Sequence, residues 1–164
     1  MRRSSLLFQI RGASWCLEFP IEIVEQLEIY AKKGGQAHEL VGQLYTRDPS
    51  ASFVRVDCIT EVAPNWAKRA GVRLDMKTVR RERERFFAEG YHCLGFWHSH
   101  PEPRPHISQT DLVMAEEQAR AGKSEYQGLV FIIIGTSPAP VGFGVWVHDG
   151  ESLWRAELLE QSTI

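Results

Sequence analysis

The run Leu129-Val130-Phe131-Ile132-Ile133-Ile134, entered directly from Gly128, constrains this chain more than any other stretch. Successive apolar side chains leave no polar face, so the segment has to be covered on both sides. It is far short of the ~20 residues that a membrane-spanning helix needs. Its β-branched content and the preceding glycine favour a strand, and a strand buried on both faces belongs in the middle of a sheet. The rest of the chain must then supply a covering layer for each face.

Leu6 to Ile10 and Trp15 to Phe19 read as short strands around a turn at Arg11–Gly12. Pro20 opens a helix in which Ile23, Val24, Leu27, Tyr30 and Ala31 recur at helical spacing. Glu22 and Glu25 near its start and Lys32 and Lys33 near its end suit the helix dipole, and Gly34–Gly35 stops it. His38 to Thr46 is expected as a strand, with Phe53 to Val62 as its hairpin partner across a turn at Asp48–Pro49. Ala63 to Leu74, with Pro64, Trp66 and Gly71, has no period and reads as a loop.

Asp75 is expected to cap a second helix that runs to about Ala88, with Met76, Val79, Phe86 and Phe87 as its apolar stripe. The mixed charges from Arg80 to Arg85 read as a solvated face of that helix. A strand from Tyr91 to Trp97 leads into His98-Ser99-His100-Pro101, and a proline-rich loop continues to Ile107. Ser108 starts a third helix that ends near Gly122. Val141 to Val147 and Ser152 to Leu158 read as a final hairpin around Asp149–Gly150. Helices and strands interleave, yet several hairpins are present, which predicts an α/β (α+β) fold with a mixed β-sheet flanked by about three helices. At 164 residues the chain is expected to form one domain spanning residues 1–164.

The net charge of −2 excludes a chain-wide basic field for nucleic acid. Cys16, Cys58 and Cys93 are odd in number, widely spaced and lack a C-x-x-C pair, so they read as small buried hydrophobes in a reducing compartment. A cytoplasmic location follows from that reading. Arg2 and Arg3 before Leu6 to Ile10 resemble a signal-peptide start, but the apolar stretch is too short and no small-residue cleavage site follows. Neither a nucleic acid nor a membrane is expected as a partner.

His98 and His100 stand two apart at a strand end, so both imidazoles can face one spot. Asp111 lies in the first turn of the helix begun at Ser108, and the loop from Pro101 to Ile107 can fold that turn back over the strand end. Two imidazoles and one carboxylate would then converge, a set suited to Zn²⁺ with a fourth position open for water, as in catalytic zinc. Pro101, Pro103 and Pro105 stiffen the loop. Ser108 and Asp111 also match a variant capping box, which needs no metal. Ser99, between the histidines, points away from that spot by strand alternation. His38–Glu39 resembles the opening of H-E-x-x-H, but Gly42 stands where the second histidine would be.

The full string His98-Ser99-His100-Pro101, then Ser108-Gln109-Thr110-Asp111, resembles the signature of the JAB/JAMM (MPN+) zinc metalloproteases, stand-alone prokaryotic type. Glu39-Leu40-Val41-Gly42-Gln43-Leu44 is similar to the upstream glutamate segment of that family, and the resemblance covers roughly Pro20 to Ile134. It implies a JAB/MPN (cytidine deaminase-like) architecture. It also implies that His98, His100 and Asp111 hold one Zn²⁺ per chain, that Glu39 is the base for the attacking water, and that Ser108 donates to the developing oxyanion. The capping and oxyanion roles of Ser108 would compete, because one hydroxyl proton cannot serve two acceptors.

The family commonly cleaves isopeptide bonds made by the C-terminal Gly-Gly tail of ubiquitin or a ubiquitin-like protein. The resemblance therefore implies a ubiquitin-like partner, for deconjugation or precursor processing. The loop from Pro64 to Leu74, with Trp66, is the expected place for the tail to add as a strand. Stand-alone members act beside activating-enzyme-like and conjugating-enzyme-like operon neighbours, including in anti-phage operons. A neighbouring branch processes the tail of a sulfur-carrier protein, and other MPN-type domains are non-catalytic scaffolds. Glu102 in the ligand loop is placed to shape the entrance rather than to act as the base, His106 in the same loop reads as a surface histidine rather than a further ligand, and His38, His92 and His148 receive no role.

Overall fold

The computed structural model describes residues 4–34, 39–63, 74–122 and 128–159. In chain order the elements are β1 (Leu6–Gln9), β2 (Cys16–Phe19), α1 (Ile21–Gly34), β3 (Val41–Thr46), β4 (Phe53–Arg55), β5 (Cys58–Ile59), α2 (Met76–Ala88), β6 (His92–Ser99), α3 (Gln109–Ala121), β7 (Leu129–Ile134), β8 (Phe143–His148), β9 (Leu153–Arg155) and β10 (Glu157–Leu158). A six-stranded sheet runs β5-β3-β6-β7-β8-β9 and a four-stranded sheet runs β10-β1-β2-β4. Both are mixed, with β6 parallel to β7 and β2 parallel to β4. The α+β expectation with three helices holds among the described residues, and the strands form two sheets rather than one.

Alternation along β7 sets the layers. Val130, Ile132 and Ile134 join Phe8, Leu17, Phe19 and Val54 of the small sheet and Ile23, Val24 and Leu27 of α1 in one apolar cluster. Leu129, Phe131 and Ile133 join Phe96, Trp146, Val79 of α2 and Ala115 and Ala119 of α3 in a second cluster. The apolar run is thus sandwiched, as its composition requires.

Two expected hairpins are instead shared between the sheets. In the run from Phe53 to Val62, β4 pairs with β2, while β5 pairs with β3. The change occurs within one peptide unit: Val56 N donates to Glu18 O and Asp57 N donates to Tyr45 O. The run from Ser152 to Leu158 divides likewise, β9 pairing with β8 and β10 with β1. In each case one segment covers an edge of both sheets, which a single hairpin would leave open.

Helix α2 also departs from its expected pattern. Asp75 caps it as expected, accepting from Lys77 N at 3.1 Å, and Val79 is buried. Phe87 is exposed, however, whereas Glu82 and Arg83 are half-buried. Glu82 accepts from Gln43 Nε2 at 3.0 Å, from Tyr45 Oη at 2.8 Å and from Thr60 Oγ1, and Arg83 Nε donates to Gln43 Oε1 at 2.7 Å. The buried Gln43 and Tyr45 need polar partners, which draws these two charges inward from the face expected to be solvated.

Cys16, Cys58 and Cys93 are all free; Cys16 and Cys93 are buried and Cys58 is half-buried. Among the described residues no helix is long and apolar enough to cross a membrane. His38 and Trp66 lie outside the described residues, as does the expected tail-binding loop apart from Leu74.

Candidate metal centre

β6 lies between β3 and β7, and His98 is in register with Val41 on one side and Ile133 on the other. Ile133 belongs to the face covered by α2 and α3, so His98 emerges on that face. The His98 and His100 rings stack with centroids 4.7 Å apart and 18° between their planes. The edge-to-face contact of His98 with Phe131, at 5.1 Å, sets the first ring. Spacing of two at a strand end therefore does bring both imidazoles to one spot, with Nε2 atoms 2.8 Å apart.

The third group comes from the start of α3. Ser108 Oγ accepts from Asp111 N at 3.1 Å, and Asp111 Oδ2 accepts from Ser108 N at 2.9 Å, a complete capping box. The carboxylate so held lies with Oδ1 3.2 Å from His98 Nε2 and Oδ2 3.3 Å from His100 Nε2. His98, His100 and Asp111 are all buried, and their ligating atoms lie within 4.8 Å of one another. The cap uses a lone pair of Ser108, so its hydroxyl proton stays uncommitted and the expected competition between capping and donation does not arise.

The connecting loop is fastened to the end of β7 and to the chain that follows it. His100 N donates to Ile134 O at 2.9 Å, Thr136 N to Glu102 O at 2.8 Å and Ser137 N to Pro103 O at 3.1 Å. Gly135 allows this approach, since a Cβ there would lie 2.6 Å from both Glu102 O and Pro103 O.

The donor chemistry fits a cation. Each Nε2 faces an Asp111 oxygen, so each favours a proton there, yet two N–H groups 2.8 Å apart repel one another. A positive ion among two nitrogens and a carboxylate replaces that conflict with attraction. Two neutral imidazoles and one carboxylate can hold a divalent metal. The His98 Nδ1 atom is buried without a hydrogen-bond partner among the described residues, so the Nε2 contacts and the Phe131 edge hold this ring.

Glu39 is half-buried and precedes β3 by two residues. Ser99 N donates to the O of the adjacent Leu40, and the Glu39 carboxylate lies near enough to His100 to act on it through its charge. Ser99, as expected, does not join the histidines; its hydroxyl accepts from Leu40 N at 2.9 Å. Gly42 has a steric reason. Trp97 Nε1 donates to Thr60 O at 2.8 Å across this position, and a Cβ on residue 42 would fall onto both partners.

A family model of prokaryotic homologs of the JAB domain matches residues 22–149. The chain belongs to the prokaryotic JAB-domain family. Among solved structures, this JAB domain is similar to a Desulfitobacterium hafniense protein at 15% identity, with 84% of this chain and 87% of that chain covered and a TM-score of 0.62. It is also similar to a Salinibacter ruber protein at 16% identity, with 88% and 92% covered and a TM-score of 0.56. Both likenesses bear on the fold. No curated protein matches the chain.

The remaining histidines of this JAB domain divide as follows. His106 is exposed and its Nδ1 lies 2.6 Å from Glu102 Oε2, with the His106 ring edge-on to His100 at 6.1 Å. His148 is buried, and its Nδ1 accepts from Gly150 N at 3.0 Å, a turn-stabilising contact. His92 packs edge-on to Phe87. The residues that sequence reasoning missed are Gly135 and the grip of Ser99 on Leu40. A glycine directly after the apolar run was the only signal for the first, and the second had none, because it depends on which strand lies alongside.

Proposed function

We propose that this JAB domain is a zinc-dependent metallo-isopeptidase that hydrolyses the amide bond after the C-terminal Gly-Gly tail of a ubiquitin-like protein, in deconjugation or precursor processing. The observation that carries the reading is the buried convergence of His98, His100 and Asp111, with the Glu39 carboxylate near enough to act on His100 through its charge. A scaffold has no need of such a cluster, and burying two imidazoles and a carboxylate is costly unless something compensates them.

His98, His100 and Asp111 would hold the ion, and the set of two imidazoles and one carboxylate with a position left open is that of catalytic zinc. When bound, Zn²⁺ supplies Lewis acidity and lowers the pKa of water to ~7. The Glu39 carboxylate accepts a proton from the attacking water and returns it to the leaving nitrogen. The Ser108 hydroxyl, its proton uncommitted by the cap, donates to the oxygen that gains charge. Asp111 keeps its orientation through Ser108 N. A Gly-Gly tail has no side chains and so can thread a narrow approach beside such a site. Activating-enzyme-like or conjugating-enzyme-like proteins are the natural neighbours of such an enzyme, and a cytoplasmic location goes with its free cysteines.

The test is metal content followed by cleavage. The purified chain is assayed for zinc, then incubated with ubiquitin-like and sulfur-carrier fusions that continue past Gly-Gly, with and without a chelator. About one zinc per chain, cleavage directly after Gly-Gly, loss on chelation and recovery with added Zn²⁺ are expected. A chain that takes up no added divalent ion would falsify the reading, and preference for the sulfur-carrier fusion would reassign the substrate.

A further inference from the structure

Ser99 is 1% exposed and stands between the two histidines, on a run whose alternation turns it away from the face they share. It grips the adjacent chain instead. Its hydroxyl accepts from Leu40 N at 2.9 Å, and its own N donates to Leu40 O at 2.9 Å. In a regular antiparallel pair the first of these bonds goes to a backbone carbonyl. Here a side chain supplies the acceptor, so the closure depends on which residue occupies position 99.

Leu40 adjoins Glu39. The Leu40 peptide therefore bears directly on where the Glu39 backbone stands. On the β3 side the last anchor before Glu39 is the Leu40 peptide held by Ser99.

We propose that Ser99 is a positioning residue for the base: its hydroxyl fixes the Leu40 peptide, and through it the adjacent Glu39. This rests on the reading of Glu39 as the base. The run His98-Ser99-His100 then divides its work by alternation, the outer residues turning to the metal and the middle one to the chain that carries the base. A misplacement of ~1 Å in such a group costs on the order of 10²-fold in rate, whereas the ligands, which Ser99 does not touch, keep their geometry.

The test uses the full chain with Ser99→Ala, Ser99→Thr, Glu39→Ala and the Ser99→Ala/Glu39→Ala double variant. Amide hydrogen exchange at Leu40 is read by NMR on the metal-free chain. Bound zinc is counted, and kcat and KM are measured on a Gly-Gly-linked fluorogenic amide. Leu40 is expected to be protected in wild type and in Ser99→Thr, and to exchange at least about tenfold faster in Ser99→Ala. Zinc content should be unchanged, and kcat should fall roughly 10- to 100-fold with KM within about twofold. In the Glu39→Ala background the same substitution should cost nothing more, because a residue acting through another shows no independent effect.

Unchanged Leu40 exchange in Ser99→Ala overturns the proposal alone. So does zinc loss in that variant, or a rate loss that multiplies the Glu39→Ala loss. Full activity of Glu39→Ala overturns the base reading, and the positioning role falls with it. A wild-type chain that binds zinc and cleaves nothing overturns the protease reading and leaves the grip to be judged on Leu40 exchange. If Ser99→Ala does not fold, Ser99→Cys keeps the volume with a poorer acceptor and is judged by the same outcomes.

Discussion

Ser108 and Asp111 exchange two hydrogen bonds at the start of α3, and the Asp111 carboxylate that completes this cap also meets both imidazoles. The cap and the candidate ligand are one side chain. Helix initiation therefore aims the carboxylate, with Oδ2 pinned by Ser108 N while both oxygens face the histidines.

Ser108→Ala should lose about 1 kcal/mol of stability as a missing N-cap. It should also weaken metal binding, but by less than the roughly 10–100-fold typical of losing a group bonded directly to a ligand, because the backbone Ser108 N that holds Oδ2 remains. Asp111→Ala should abolish metal binding outright. Calorimetric titration with Zn²⁺ beside thermal denaturation separates the two, and equal metal affinity in Ser108→Ala and wild type would show that the cap does not orient the ligand.

Glu39→Ala should leave metal stoichiometry intact and reduce hydrolysis by on the order of 10²–10⁴-fold, the range for a lost general base. Glu39 is not one of the three grouped candidate ligands, so structure and metal should be spared. Zinc analysis with kcat/KM on a Gly-Gly fusion checks this.

Two glycines should behave differently. Gly42→Ala puts a methyl group onto Thr60 O and Trp97 Nε1 inside the packed sheet, and overpacking of that kind costs about 1–3 kcal/mol or more. Gly135→Ala places its methyl 2.6 Å from the Glu102 and Pro103 carbonyls, so the ligand loop has to move. The first should show chiefly as a lower Tm and the second chiefly as weaker metal binding. A Gly135→Ala chain with wild-type affinity would mean that the loop does not hold the ligands in place.

pH should act in opposite senses on the free and loaded chain. Burial disfavours a charge on His100, but its hydrogen bond to Asp111 and the nearby Glu39 and Glu102 carboxylates lift its pKa above the ordinary imidazole value. Burial also pushes the Asp111 carboxyl up, and the bonds from His100 and His98 outweigh this and hold it well below the usual carboxylate range. The raised imidazole supports the metal-free fold fully below about pH 6.5, and that support fades as pH rises through the raised value. The depressed carboxyl contributes above about pH 4 and is lost as pH falls through its folded value. Metal ligation needs neutral imidazoles and so strengthens with pH. Calorimetry between about pH 5 and pH 8 should therefore show the Tm gap between zinc-loaded and free chain widening as pH rises. A constant gap would separate the histidines from metal binding.

What could be read along the chain was local. The apolar run had to be central because it has no polar face, the two histidines had to share a face because they stand two apart, and Asp111 had to sit in the first helical turn because Ser108 caps it. Each of these follows from strand or helix period within a few residues. The fates of Phe53 to Val62 and Ser152 to Leu158 did not, since each run alternates well enough to pair anywhere. Likewise the charges at Glu82 and Arg83 look solvated until the buried Gln43 and Tyr45 are set beside them.

By itself, then, the sequence determined the element types, the central strand and the three groups that meet as a candidate metal centre, because bond geometry dictates the direction of neighbouring side chains. Only the tertiary structure decided which sheet each edge segment closes and that Ser99 holds Leu40, next to Glu39. Those relationships join residues far apart in sequence, and hydrogen-bond satisfaction and burial select among partners that the chain alone leaves equivalent.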